Sequence, residues 1–323
     1  MCTALRFMQK DCYFGRTLDL EHRYYEQVVI TPRGYSFSKN SRDGFKSANA
    51  IIGIATVKDN YPLYYDAVNE HGLAMAGLNF VGNAKFTKAA DGCRNLAQYE
   101  LIPFILGRAS TLSDALELLR NTRLIDTPYD DSTPVSELHY FLADCEHSFA
   151  VEPTERGLEI YENPSDVLTN NPPFPYHRDN LSNYMNLTAK PAENKFSDKM
   201  KLHEFSRGLG AFGLPGDLSS PSRFVRGAFA VANAERKATE AEAAGQVFHI
   251  LDFVSQTEGL VKLKSGLERT QYAACANMNT GTYYYKTYGN SRITAVRMSD
   301  EEKARDTLTA YPLTFTEDVL YVN

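Results

Sequence analysis

Hydrophobic and polar positions follow two periods along this chain. Short runs rich in β-branched and aromatic residues, separated by turn residues, predict strands over 26–31, 50–57, 72–80, 138–144, 148–152, 157–161, 272–278, 282–288 and 293–298. "LADCEHSFAVE" and "MNTGTYYY" have the pattern of hairpins, and neighbours this close in sequence favour antiparallel pairing. Between the strand groups the period changes. Leu112, Ala115, Leu116 and Leu119 recur at helical spacing behind an approximate capping box of Thr111 and Asp114. Further helices are predicted over 95–107, interrupted by Pro103, and over 222–235 and 240–256. Strands, then helices, then strands again predict an α+β layered fold. No low-complexity linker or internal repeat divides it, so residues 1–323 are read as one domain. The Pro/Asn-rich stretch 163–176 and the Gly/Pro/Ser stretch 206–223 are read as loops.

Composition narrows the classes. Of 323 residues, 43% are hydrophobic and 23% charged, which suffices for a packed core without staples. A net charge of -6 and the lack of any basic stripe argue against nucleic acid as the main partner. The five cysteines (Cys2, Cys12, Cys93, Cys145, Cys275) are odd in number and form no C-x-x-C pair, which disfavours a disulfide framework or a zinc site. The seven histidines stand apart, and His139 and His249 sit in apolar strings as core or rim residues. No metal and no cofactor is expected. Neither a secretory signal nor an apolar run of membrane-spanning length is evident, and a cytoplasmic enzyme is the expectation.

One glycine pattern is a decoy. "GLGAFG" (208–213) matches G-x-G-x-x-G, but a dinucleotide site needs a strand before it and a helix directly after it. "HEFSR" is a poor strand, and Pro215 and Pro221 bar an immediate helix, so a glycine-rich loop is expected.

The N-terminus carries the candidate chemistry. Initiator methionine is commonly removed before a small residue, and here the second residue is Cys2. The mature chain would then hold a thiol and a free α-amine on one residue, with ordinary pKa values near about 8.5 and about 8. The amine can serve as base for its own thiol. Such a site also needs a carboxylate to hold the amine, cations beside the thiol and donors for an oxyanion. Arg16 and Asp19 in "FGRTLDLE", Asn79 ending "GLAMAGLNF", Asn170 in "VLTNNPPF" and Arg223 in "PGDLSSPSRF" supply those types.

The set "MCT…FGRTLD…NEHGLAMAGLNF…LTNNPPF…GLPGDLSSPSRF…RTQY" resembles the choloylglycine hydrolase family, which contains bile salt hydrolases and penicillin V acylases. Each motif alone is weak; six in this order behind a cysteine at position 2 are specific. The resemblance runs from Met1 to about Tyr288. It implies an N-terminal nucleophile hydrolase with a four-layer αββα sandwich and two antiparallel sheets. Matched to this sequence, Cys2 is the nucleophile and Arg16 the arginine beside it. Asp19 is the carboxylate near the amine, Asn170 and Asn79 serve the oxyanion, and Arg223 is the second arginine. Asn at 79, where penicillin V acylases commonly carry Tyr, favours conjugated bile salts as substrates, with penicillin V acylase the alternative and an inactive bile-acid binder a remote one. Leu18, Tyr65 and the loop around Tyr129 are candidate walls for a steroid. The thioester implied by the family mechanism allows minor amino-acid N-acyltransfer, and "GLG" (208–210) resembles the loop of members that favour taurine conjugates. Relatives are often homotetramers.

Overall fold

The computed structural model describes residues 1–38 and 44–323. Two large sheets, antiparallel at every pairing, dominate it. The first has seven strands. Its main path runs Val167–Leu168, Cys2–Met8, Cys12–Leu20, Leu267–Asn277, Thr282–Thr287, Asn290–Arg297, with Val261–Lys262 also paired to Leu267–Asn277. The second has eight, in the order Gly157–Glu162, Ser148–Thr154, Leu138–Ala143, Ala74–Asn79, Tyr61–Asn69, Ile51–Lys58, Gln27–Thr31, Thr309–Pro312.

Strand alternation explains how the sheets stack. Successive side chains point to opposite faces. In Leu138–Ala143, Phe141 and Ala143 join the core against the seven-stranded sheet, whereas Tyr140 and Leu142 join a second core under helices Leu101–Arg108 and Leu112–Arg120. Val28 and Ile30 against Val29 divide the same way. Helices Ser220–Asn233 and Glu240–Asp252 cover the outer face of the seven-stranded sheet, where Val247 and Leu251 lie over Gly15. The result is four layers: helices, sheet, sheet, helices. An αββα sandwich is the architecture the resemblance implied.

Three segments depart from expectation. Only Leu101–Arg108 of the predicted 95–107 helix is α-helical; Arg94–Ala97 is a strand pairing in parallel with Thr122–Ile125. Pro103 does not interrupt that helix, because it lies in the first turn, where backbone N–H groups have no intrahelical acceptor. Tyr61–Asn69 is a long strand that went unpredicted, since Pro62 demotes it and Asp66 breaks its apolar face. Finally, the loop over 163–176 ends early, with helix Phe174–Asn180 beginning inside it.

The capping box at Thr111 forms as expected, with Thr111 Oγ1 accepting from Asp114 N. "GLGAFG" forms a single 3₁₀ turn, Leu209–Ala211, and the next helix begins only at Ser220. Gly210 is needed there for close approach: a Cβ would fall 2.1 Å from the Lys190 carbonyl oxygen.

Candidate active site

The site is built on the first hairpin. Strands Cys2–Met8 and Cys12–Leu20 pair with Cys2 opposite Leu18, Thr3 opposite Thr17 and Ala4 opposite Arg16. Residues directly opposite share a face. Cys2, Arg16 and Leu18 therefore face the eight-stranded sheet, while Thr3, Thr17 and Asp19 face the helical layer.

On the first face Cys2 and Leu18 are buried and Arg16 is wholly enclosed. Arg16 Nη1 donates to the carbonyls of Tyr65 (2.9 Å) and Gly77 (3.3 Å) and lies 3.5 Å from Asp66 Oδ2. Asp66 is fully buried and also accepts from the hydroxyls of Tyr272 (2.7 Å) and Tyr283. Burial works against the Arg16 charge, yet the surrounding Tyr272, Cys2, Asp66 and Tyr283 raise its pKa overall. Burial likewise pushes the Asp66 carboxyl up, opposed by Arg16 and the two phenols. Arg16 Nη2 is buried without a protein partner. The guanidinium thus has one donor uncommitted on the thiol's side of the sheet.

On the other face Asp19 accepts from Thr270 Oγ1 (2.7 Å) and Thr17 Oγ1 (3.2 Å). Arg223, rooted in the first turn of helix Ser220–Asn233, reaches into the sheet. Its Nη1 donates to the Cys2 carbonyl (2.6 Å) and Thr3 Oγ1 (2.7 Å), and lies 3.9 Å from Asp19 Oδ2. Burial lowers the Arg223 pKa, while Asp19, Cys2 and Glu268 oppose that fall.

Asn170 joins the two faces at the sheet edge. Its Oδ1 accepts from the Cys2 backbone N–H (2.8 Å) and from Arg223 Nη2 (2.7 Å). Two donors on one oxygen fix the amide's orientation, so Nδ2 points outward as a donor, here to the Asn79 carbonyl (2.8 Å). Ser220 Oγ accepts from Asn170 N (2.8 Å), and His177 Nε2 donates to the Asn170 carbonyl (2.8 Å). Burial drives the His177 pKa down to about 4, with the hydrogen bond to Asn170 opposing the fall and the Arg223 charge adding to it. This hydrogen bond requires a proton on Nε2; burial prevails over it, so the ring is the neutral Nε2–H tautomer near pH 7.

Met1 precedes Cys2 and continues the hairpin ladder. Its carbonyl accepts from Asp19 N (2.8 Å), and its ammonium donates to the Asp19 carbonyl (2.5 Å) and pairs with Glu268 (3.1 Å). The Cys2 nitrogen is a peptide N–H in this form. Cleavage of the Met1–Cys2 bond would make it an α-amine at the same position, already oriented by Asn170.

Cys2, Asp19, Asn170 and Arg223 thus meet directly, Arg16 lies on the Cys2 face, and Asn79 joins through its carbonyl. The proposed walls divide. Leu18 lines the Cys2 face; Tyr65 is half-buried with its hydroxyl on Thr56. Tyr129 is a correction. Its side chain is 1% exposed, packs edge-on with Tyr99 and tilted against Tyr61, and donates to the Lys58 carbonyl (2.9 Å). It belongs to the core under the helices, on the far side of the eight-stranded sheet from Cys2, and so forms no wall of this site.

Asp66, Thr270, Ser220 and His177 were not anticipated. Asp66 had a readable signal, a lone carboxylate at an inward position of an aromatic-rich strand. The other three have ordinary sequence contexts. Among the described residues no cluster of three His, Cys, Asp or Glu side chains could hold a metal, and no helix is long and apolar enough to cross a membrane.

A four-layer sandwich with a buried cysteine at the start of an inner strand, flanked by two arginines and an asparagine, defines an N-terminal nucleophile hydrolase fold. The chain belongs to the choloylglycine hydrolase family of linear amide C–N hydrolases, whose profile matches residues 2–310. It is 43% identical to the bile salt hydrolase/transferase of Lactiplantibacillus plantarum, over 97% of each chain. It superimposes on a C2A mutant of the conjugated bile acid hydrolase of Clostridium perfringens with a TM-score of 0.92, at 31% identity over all of both chains. Penicillin V acylase from Agrobacterium tumefaciens shares the fold, with a TM-score of 0.77 at 17% identity, over 96% of this chain and 90% of that one.

Proposed function

We propose that this chain hydrolyses the amide joining a bile acid to taurine or glycine, with Cys2 as the N-terminal nucleophile after loss of Met1. The observation that carries the reading is the placement of the Cys2 nitrogen on Asn170 Oδ1, with Arg223 on the Cys2 carbonyl and on the same Asn170 oxygen. The nitrogen, the thiol and an outward amide donor then share one corner. The names borne by the relatives supply the substrate class.

In this mechanism the Cys2 α-amine takes the thiol proton as sulfur attacks the substrate carbonyl. Asn170 Nδ2 and Asn79 donate to the oxyanion that develops. The intermediate collapses, the C–N bond breaks, and the amine leaves with the proton held by the α-amine. Water then attacks the thioester, returning the acid and the free thiol. Asp19 and Arg223 hold the N-terminal backbone in place, and Arg16 supplies positive charge on the thiol's face. An amino acid that replaces water at the last step yields a new amide, a minor acyltransfer. Asn at 79 and the 43% identical relative favour bile salts over penicillin V. The "GLG" loop at 208–210 favours the taurine conjugate.

The assembly we favour is a cytoplasmic homotetramer. Exposed Met185, Phe196, Phe205 and Phe212 offer apolar surface for subunit contacts, which light scattering on the purified chain tests directly. For the activity, the wild-type chain and Cys2→Ala are compared on taurocholate, glycocholate and penicillin V. Cys2→Ala is expected to fall to background on all three, and intact mass should show Met1 absent from active protein. Full activity with Met1 retained would overturn the role of the α-amine, and a preference for penicillin V would overturn the substrate class.

A further inference from the structure

The end of the sandwich opposite Cys2 holds a pair of thiols. Cys12 begins the strand that ends beside Cys2, about 20 Å away at about 3.4 Å per residue from Leu18. Cys145 sits in the tight turn between strands Leu138–Ala143 and Ser148–Thr154, on the other sheet. The two residues come together across the gap between the sheets, Cys12 Sγ reaching the Asp144 carbonyl next to Cys145 and both residues contacting the same Asn279 oxygen.

The surroundings hold them there. Asn279 Oδ1 accepts from the Cys12 backbone N–H (2.8 Å) and lies 3.9 Å from Cys145 Sγ, so one oxygen is shared by both residues. Cys12 Sγ is 3.8 Å from the carbonyl of Asp144 and 3.4 Å from Met278 Sδ. Arg6, forked onto Asp166 at 2.8 and 2.9 Å, donates through Nη1 to the Cys145 carbonyl (2.7 Å). Cys145 is half-exposed and Cys12 buried. The neighbouring Cys12 thiol, with Arg6 behind it, lowers the Cys145 pKa, although burial and Asp144 oppose it. The same proximity, then burial, raises that of Cys12. An accessible thiol of lowered pKa beside a buried one is the arrangement of a peroxidatic cysteine and its resolving cysteine.

We propose that Cys12 and Cys145 form a reversible dithiol–disulfide site that takes oxidising equivalents from a hydroperoxide and, when oxidised, links the two sheets covalently. In the first step Cys145 sulfur attacks a peroxide oxygen; the O–O bond breaks, Cys145 becomes a sulfenic acid, and water or an alcohol leaves. The Cys12 thiol then attacks the Cys145 sulfur, the S–S bond forms, and the hydroxyl leaves as water with the Cys12 proton. Two thiols lose two electrons in total and the peroxide gains them. Two equivalents of a small thiol reverse the change by thiol–disulfide exchange. Nothing in the amide chemistry at Cys2 uses this pair. A cross-link between residues so far apart in sequence raises stability by restricting the unfolded chain.

The test uses the wild-type chain treated with hydrogen peroxide, capped with N-ethylmaleimide, digested without reduction and mapped by mass. The expected product joins the Cys12 and Cys145 peptides, two hydrogens lighter than their sum, and dithiothreitol returns both thiols. The thermal midpoint of the oxidised form should exceed that of the reduced form. In Cys12→Ser, the Cys145 sulfenic acid should persist and be captured by dimedone; in Cys145→Ser, Cys12 should stay reduced. Should Cys12→Ser fail to fold, Cys145→Ser, altered in a half-exposed turn, carries the test alone. Recovery of Cys12 and Cys145 as free thiols after half-exposed Cys93 has been oxidised overturns the proposal. So does linkage of Cys145 to any other cysteine, or an unchanged midpoint in the bridged form.

Discussion

The eight-stranded sheet has two faces, and both are buried, but they bury different kinds of polarity. Toward the seven-stranded sheet it presents Asp66, a carboxylate at full burial, to the enclosed guanidinium of Arg16 and two tyrosine hydroxyls. Toward its helices it presents neutral amides. Asn49 Nδ2 and Asn69 Nδ2 both donate to the carbonyls of Leu106 and Ala109, satisfying the free end of helix Leu101–Arg108. Above them lies a tyrosine cluster of Tyr61, Tyr99 and Tyr129. Neutral amides close a helix at modest cost. A charged pair out of water gives little net stability over an apolar filling. The face that tolerates it is the one that carries Cys2 and, in the proposed mechanism, uses the Arg16 charge. Among the sheet's own residues, buried charge therefore separates the face toward Cys2 from the face under the helices.

Removing the charge on one side breaks that contrast most severely. Asp66→Ala leaves Arg16 buried without its counter-ion and strips both phenols of their acceptor. The loss of a partner from a buried pair typically costs about 3–5 kcal/mol. Chemical denaturation should show a loss of that order, and a change below about 1 kcal/mol would mean that Arg16 finds solvent instead. Asn170→Ala probes the corner where the two faces of the hairpin meet. Loss of one preorganised oxyanion donor lowers kcat by about 10²–10³. The fall should appear in kcat more than in KM, because the donor acts mainly in the transition state. Steady-state kinetics on taurocholate make the distinction: a rise in KM alone would make Asn170 a substrate anchor.

His177 tests burial without net charge. Its folded pKa of about 4 lies below the ordinary value near 6.5. Between these values the unfolded chain binds a proton that the folded chain refuses. Stability from this group is therefore full above about pH 6.5 and falls as pH drops toward about 4, by at most about 3 kcal/mol. His177→Phe should flatten the stability profile in that window, read by denaturation at pH 7, 5.5 and 4.5. An unchanged slope would assign the acid sensitivity to other groups.

Much of the corner around Cys2 was legible in sequence, for a physical reason. Residues in short fixed contexts (Cys2 after Met1, Arg16 and Asp19 two strand-faces apart in one segment, Asn170 before a proline pair) carry their surroundings with them. The structure brings these together with Arg223 and, through its carbonyl, Asn79. The four layers came only from the resemblance, because a strand apolar on both faces reads as a continuous run without period 2. What escaped was whatever depends on a distant partner. Asp66 reads as a defect in a strand until Arg16 of the other sheet is placed against it. Thr270 matters only because a bulge between Thr270 and Tyr272 leaves it opposite Asp19. Residues 95–97 look helical because the period of an amphipathic helix and that of a short buried strand overlap over so few positions. Tyr129 went to the wrong face for the same reason: an aromatic in a loop is equally suited to a pocket wall and to a core, and only tertiary packing decides.

That last assignment gives the smallest effect and the sharpest separation of the two faces. Tyr129→Phe keeps the ring against Tyr61 and Tyr99 and removes only the hydroxyl that donates to the Lys58 carbonyl. A neutral hydrogen bond contributes about 1 kcal/mol net, and Lys58 ends a strand near solvent, where water can take over as donor. The thermal midpoint should fall slightly. The kinetic constants for taurocholate and glycocholate should match wild type, because the eight-stranded sheet stands between this ring and Cys2. A changed KM for either bile salt, with the midpoint unmoved, would put Tyr129 back among the residues that meet the substrate and would mean that the helical face of the sheet communicates with the site.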